Sequence, residues 1–132
     1  EFRHESWFTG DQRIVPDVLE SLAELGVDLV VSDTIGRPDV AHRSLSTSRL
    51  VVRFLGTNLG PDEQARLASW GDRLQIWASQ GLREVYFFCH EPDNVLSPRL
   101  HSKVVDLWRE RLGWRLPAWQ TFEPAPDLFS RN

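Results

Sequence analysis

The chain has 132 residues with 15 basic and 19 acidic side chains, for a formal net charge of −4. A composition that is 41% hydrophobic and 26% charged excludes a disordered chain and suits one globular domain large enough to bury a core. No apolar run reaches the roughly 20 residues that cross a bilayer, and the acidic balance does not advertise a nucleic-acid binder.

The positive charge is almost all arginine, Lys103 being the only lysine. Guanidinium suits planar, bidentate recognition of carboxylate or phosphate. Cys89 is the only cysteine, which rules out an internal disulfide and, with no CxxC, argues against a structural zinc site. No basic-then-apolar leader opens the chain, so a cytoplasmic protein is expected. The chain opens on Glu1 and Phe2 and contains no methionine; the expectation is a fragment whose upstream half is missing.

From the amino end, residues 1–4 read as the end of a strand, and residues 5–15 as a loop turning at Thr9, Gly10 and Asp11. A helix is predicted from Pro16, with Asp17 in its first turn, an apolar stripe of Val18, Leu19, Leu22 and Leu25, and Gly26 as its stop. Residues 27–32 are rich in β-branched side chains and form a strand ending at Asp33. Residues 34–48 make a long loop, a length often tied to function in compact domains. Residues 50–56 are a short apolar strand with Arg53 buried inside it and Gly56 at its exit. An unpaired buried charge is costly, so Arg53 must point at something that needs it.

Gly60, Pro61, Asp62 and Glu63 start a second helix, whose apolar face of Leu67, Trp70, Leu74 and Trp77 runs to Gly81. Residues 84–89 form a strand apolar on both faces, as in a parallel sheet covered by helices. Ser97 and Pro98 cap a last helix, with Leu100, Val104, Leu107, Trp108 and Leu112 inward and Gly113 as its stop. Residues 1–113 form the folded unit, and residues 114–132 a proline- and aromatic-rich tail. Strands alternating with helices predict a parallel α/β fold.

In such folds ligands bind beyond the carboxyl ends of the strands. Polar groups gather at each predicted end: Arg3 and His4, Asp33, Arg53, and His90. Period-two alternation puts Arg53 on one face with Val51 and Leu55, Glu1 with Arg3, and Asp33 with Leu29 and Val31. Arg3 and Arg53 are candidate anion holders, with Asp33 or Glu1 to orient them and His4 or His90 to move protons. Trp7 is placed to stack on a planar ligand, or simply to pack on a neighbouring loop. His42 and His101 read as ordinary surface residues. His4, Asp33 and His90 lack metal-ligand spacing, so no metal is expected and no cofactor is implied. Cys89 and His90 fall on opposite faces, against a Cys–His dyad. Phosphate-loop, dinucleotide, nucleophile-elbow and zincin patterns do not occur.

At these residues the chain resembles the C-terminal half of the YecE-like proteins (domain of unknown function 72). Residues 1–7 are similar to that family's E-F-R-H-x-S-W segment, Val31-Ser32-Asp33 to its strand ending in aspartate, residues 52–56 to its V-R-x-x-G strand, and residues 85–88 to its penultimate Y-V-F-F segment. The resemblance implies strands 5–8 of a TIM-like (β/α)8 barrel of about 250 residues, with Arg3, His4, Trp7, Asp33 and Arg53 lining its mouth. Two positions depart from the pattern. Leu55 stands where the family often has histidine, and the last strand exits through His90 and Asn94 rather than an asparagine-rich run.

The function expected is binding of a small anionic or phosphate-bearing ligand at that mouth by Arg3, Arg53, Trp7 and Asn94. Whether it is an enzyme stays open; a hydrolase or lyase acting on a phosphate-bearing substrate is the class such a site would suit, with His4, His90 and Asp33 as its catalytic residues. A nucleic-acid-binding or nuclease-like barrel and a non-catalytic partner-binding scaffold are the alternatives. A half barrel has open strand edges, so a missing N-terminal half or a second copy is expected to complete the sheet. No membrane partner is expected.

Overall fold

The computed structural model describes residues 1–116. Its elements follow in the order α1 (Pro16–Glu24), β1 (Val30–Asp33), β2 (Arg49–Leu55), α2 (Asp62–Ser79), β3 (Glu84–His90) and α3 (Ser97–Leu112). The three strands lie side by side as β1-β2-β3, and both pairs are parallel. Three parallel strands with three helices are compatible with a partial β/α barrel. The tail expected at 114–132 lies, from residue 117 on, outside the described residues; Trp114 and Leu116 pack against the core.

The strands form where β-branched and aromatic residues run together, and the two-residue period of β2 then sorts its side chains. Leu50, Val52 and Phe54 are fully buried. They face Leu67, Trp70 and Leu74 of α2 and Leu100, Val104 and Trp108 of α3, in one apolar cluster. Phe87 of β3 is its aromatic centre, with ring centroids 5.8 Å from Phe54, 5.8 Å from Trp70 and 4.7 Å from Trp108. The Trp108 indole N–H donates to the Leu67 carbonyl at 3.1 Å, so the buried ring leaves no polar atom stranded. Each such buried side chain contributes about 1.5–3 kcal/mol.

Helix boundaries follow the local chemistry. Pro16 opens α1, and Gly113 ends α3 in the left-handed conformation at φ 65°. Ser97 does not cap α3 as its sequence suggests. It is the first helical residue, and its hydroxyl accepts the Glu91 N–H at 2.9 Å.

Four further expectations are corrected. Residues 1–4 are not a strand; they lead into a 3-10 turn, Glu5–Trp7, in which the His4 ring accepts the Ser6 N–H at 3.2 Å. A local side-chain bond of this kind competes with strand pairing over so short a segment. β3 is not covered on both faces, because Tyr86 and Phe88 are 51% and 60% exposed. The apolar stripe of α1 is not buried, and Leu25 is 75% exposed.

His42 is not a surface residue. It is fully buried, its Nε2 lies 3.3 Å from the Val30 carbonyl, its Nδ1 accepts the Ser44 N–H at 3.3 Å, and its ring stacks on Phe8. A proton acceptor at Nδ1 and a carbonyl at Nε2 fix the neutral tautomer with its hydrogen on Nε2. Burial depresses its pKa to about 4, only partly offset by the bond to Val30. The imidazole thus ties the long loop of residues 34–48 to the outer edge of β1.

Two outcomes follow from this packing. Leu74→Ala, at a fully buried position, should cost about 2–5 kcal/mol in urea unfolding, whereas Ile76→Ala on the same helix, 57% exposed, should change stability by no more than about 0.5 kcal/mol. For His42 the unfolded chain takes up a proton that the folded chain refuses. Its contribution is therefore complete above pH 6.5 and lost as pH falls toward about 4. The melting temperature should drop across that window, and less so in a His42→Gln variant.

Candidate functional site

Opposite the helices, the sheet presents the alternate set of side chains. Ser32 of β1 is in register with Arg53, Arg53 with Phe88, and Leu55 with His90. At the carboxyl end of this face is a cleft of about 250 Å³ lined by Arg3, Ser32, Thr34, Arg37, Val40, Arg53, Leu55 and His90. A second hollow, lined by Arg3, His4, Glu5, Arg37 and Asp39, shares two of its arginines. The parallel sheet brings Ser32, Arg53, Leu55 and His90 to this end because its strands all end on the same side, and the remaining lining residues come from segments outside the strands.

Arg53 is not buried; its side chain is 43% exposed, on the uncovered face. Its counter-charge is Glu1. Arg53 Nη1 reaches both carboxylate oxygens, at 2.9 and 2.8 Å, while Arg3 Nε donates to Oε1 at 2.8 Å and Ser32 Oγ donates to the same oxygen at 2.5 Å. Partial burial pushes the Glu1 carboxyl up, but the bonds from Ser32, Arg53 and Arg3 outweigh it and hold the pKa at about 2. Arg37 is held in turn by Asp39, at 2.9 and 2.7 Å, and donates to the Arg3 carbonyl at 2.6 Å.

These pairs do not exhaust the donors. Among the described residues Arg53 commits only Nη1 to Glu1, Arg3 uses Nε and Nη2, and Arg37 uses Nε and Nη2. Each guanidinium thus keeps N–H groups in hand among the described residues. Three arginines meet the carboxylates of Glu1 and Asp39 there, with Glu5 acting on Arg37 from the second hollow.

Asp33 is placed elsewhere. One residue beyond Ser32, it falls on the helix-facing side, where it accepts Arg66 Nη2 at 2.7 Å and Trp70 Nε1 at 2.6 Å. It fastens the end of β1 to α2 and does not orient Arg53; the alternation that pairs Asp33 with buried Val31 requires this. His4 lines the second hollow beside Arg3. Trp7 is 37% exposed and stacks on Phe2, with centroids 4.5 Å apart. Asn94 sits in a short exposed turn before α3, outside the cleft. Cys89 points into the helix layer, and burial pushes its thiol up to about 11.

Arg37, Ser32 and Thr34 line the cleft without having been singled out from the sequence. The long loop after β1 was the available signal for Arg37 and Thr34. Ser32 had one too, since it alternates with Asp33 and so shares the face of Arg53.

Residues 1–124 match the model of a family described as protein of unknown function DUF72. No curated protein and no solved structure matches the chain.

Glu1 sets an acid limit on this arrangement. Its carboxyl titrates at about 2 in the folded chain against an ordinary 4.5, so its contribution is present above pH 4.5 and lost as pH falls toward 2. Glu1→Gln should flatten the melting-temperature profile between those values, leaving the His42 limb at higher pH unchanged.

Proposed function

The chain belongs to the DUF72 family, and from that premise we propose that it binds an anionic, phosphate-bearing ligand at the carboxyl end of its parallel sheet. One observation carries this reading: Arg3, Arg37, Arg53 and His90 line a single cleft, with the Ser32 and Thr34 hydroxyl-bearing residues between them. Guanidinium groups with spare donors beside small hydroxyls suit phosphate oxygens, which accept several hydrogen bonds each.

Glu1 indicates how the site would work. Its carboxylate takes from Arg53, Arg3 and Ser32 the bonds an oxyanion would take. A ligand anion would either join it, using the uncommitted donors, or displace it. His90 lines the cleft and His4 the adjoining hollow, each a proton carrier suited to a hydrolase or lyase. Asp33, turned toward α2, would act by holding the frame rather than by touching substrate.

The same reading extends to architecture. The three strands would belong to strands 5–8 of a TIM-type barrel, and the cleft would open at its mouth. Exposed Tyr86 and Phe88 would then lie on the inner wall, covered by the remaining strands or by a second copy.

The test is thermal unfolding with and without excess inorganic phosphate. A ligand that binds only the folded state raises the midpoint. The rise is expected in the wild type and absent in Arg53→Ala. Because the Arg53–Glu1 pair is part-exposed, the substitution itself should cost only about 0–1 kcal/mol, so the two effects separate. An equal rise in both chains would remove Arg53 from the site; no rise in either would remove the anion reading.

A further inference from the structure

Directly behind the cleft wall, on the helix side, two glutamates meet. Glu63, in the first turn of α2, and Glu91, just past β3, are 1% and 0% exposed. Residues 56–60, which join β2 to α2, wrap around them. The Thr57 N–H donates to Glu63 Oε2 at 3.0 Å, the Asn58 N–H to Glu91 Oε2 at 2.7 Å, and the Leu59 N–H to Glu91 Oε1 at 3.1 Å. Gly56 has no side chain because none fits: a Cβ there would collide with Glu91 Oε2 and come within 2.8 Å of Glu63 Oε2. Asn58 and Leu59 both take the left-handed conformation, at φ 55° and 60°, which is strained for a side chain such as leucine. The loop accepts that strain in order to aim three N–H groups at the two acids.

Compensating positive charge is sparse. Lys103 of α3 stands 3.8 Å from Glu63 Oε1 and is half exposed. Arg66 of α2 is spent on Asp33 and on the Leu55 carbonyl. Cys89 of β3 is held as the neutral thiol, partly by these same two acids. Glu63 Oε1 has no hydrogen-bond partner among the described residues. Two full charges at one dry point are more than three amides and a distant ammonium can hold. A metal ion is the wrong remedy, since the N–H groups already point at the oxygens and no third His, Cys, Asp or Glu joins the pair among the described residues. A proton is the fitting ligand.

We infer that Glu63 and Glu91 form a carboxyl–carboxylate pair that binds one proton, and that this proton clamps residues 56–60 against the back of the cleft. The clamp reaches the front through the backbone. The Gly56 N–H donates to the His90 carbonyl at 2.8 Å, and Leu55 and His90, next to these residues, line the cleft. Burial and the contact with Glu63 push the Glu91 carboxyl above its ordinary 4.5, against the pull of the Asn58 N–H. The sign is therefore opposite to that of Glu1 and His42. Here the folded chain holds a proton that the unfolded chain releases, so the pair favours folding at low pH and stops doing so as pH rises through its folded titration point. Over that window the folding equilibrium constant changes by up to about tenfold per pH unit.

Glu63→Gln supplies a neutral partner of the same shape and removes the need for the proton. The difference in melting temperature, variant minus wild type, should widen in favour of the variant as pH rises from 5 to 9; taking the difference cancels Glu1 and His42. A difference that stays constant with pH overturns the inference. Should the variant fail to fold, the wild type answers alone. Carbon-13 NMR of its glutamate carboxyls should show one group still protonated well above pH 4.5, and the inference fails if every glutamate titrates at or below the ordinary range. Phosphate plays no part in either measurement, so the result is independent of the anion site.

Discussion

The period of the central strand is the constraint on which the rest depends. β2 must bury Leu50, Val52 and Phe54 against two helices, and a strand that does so turns Val51, Arg53 and Leu55 the other way. The apolar demand is large and non-negotiable: about 1.5–3 kcal/mol for each buried side chain. Moving the register by one residue would put Arg53 into the layer of Trp70 and Phe87 and expose Phe54. The position of the arginine is thus fixed by its neighbours, not by its own interactions.

Two electrostatic systems are built on the two sides of the strand ends, and they solve opposite problems. On the open face, arginines and carboxylates are interleaved in part-exposed pairs. Glu1 is held well below the ordinary carboxylate range because Ser32, Arg53 and Arg3 bond it, and the arginines of these pairs are part-exposed. On the helix side, two carboxyls are dry and short of counter-charge, and only a shared proton makes their burial tolerable. Between them runs the backbone of residues 55–57 and 90–91, which carries side chains of both systems. A change on one side has a short covalent and hydrogen-bonded path to the other.

The Asp33–Arg66–Trp70 group plays a third part. It joins the carboxyl end of β1 to α2 through bonds of 2.7 and 2.6 Å, while the Arg66 guanidinium also lies 4.2 Å over the Phe54 ring. Partly buried, it ties α2 to the carboxyl ends of β1 and β2, since Arg66 also donates to the Leu55 carbonyl at 3.0 Å.

Much of this was legible in the sequence. Pro16, Asp62 and Gly113 mark helix boundaries by backbone chemistry alone, and the β-branched and aromatic runs mark the strands, because these are local preferences that act over a few residues. Arg53 and His90 were visible as candidates because a parallel α/β order sends every strand end to the same side, whereas Arg3 was reached through a strand at residues 1–4 that the fold does not contain. What lay beyond the sequence was decided by contacts between distant segments. Whether Arg53 was buried or open depended on helices packing on one face and not the other. Asp33 shares a strand end with Ser32, yet the two serve different faces, and only the placement of Trp70 and Arg66 gives Asp33 its role. His42 looked like a loop residue because nothing near it in sequence announces the Val30 carbonyl and the Phe8 ring. Glu63 and Glu91 are 28 positions apart (91 minus 63), each unremarked in its own segment, one a helix-start acid and the other a loop residue. Their meeting, and the proton it demands, arises from burial, which the sequence of either segment does not encode.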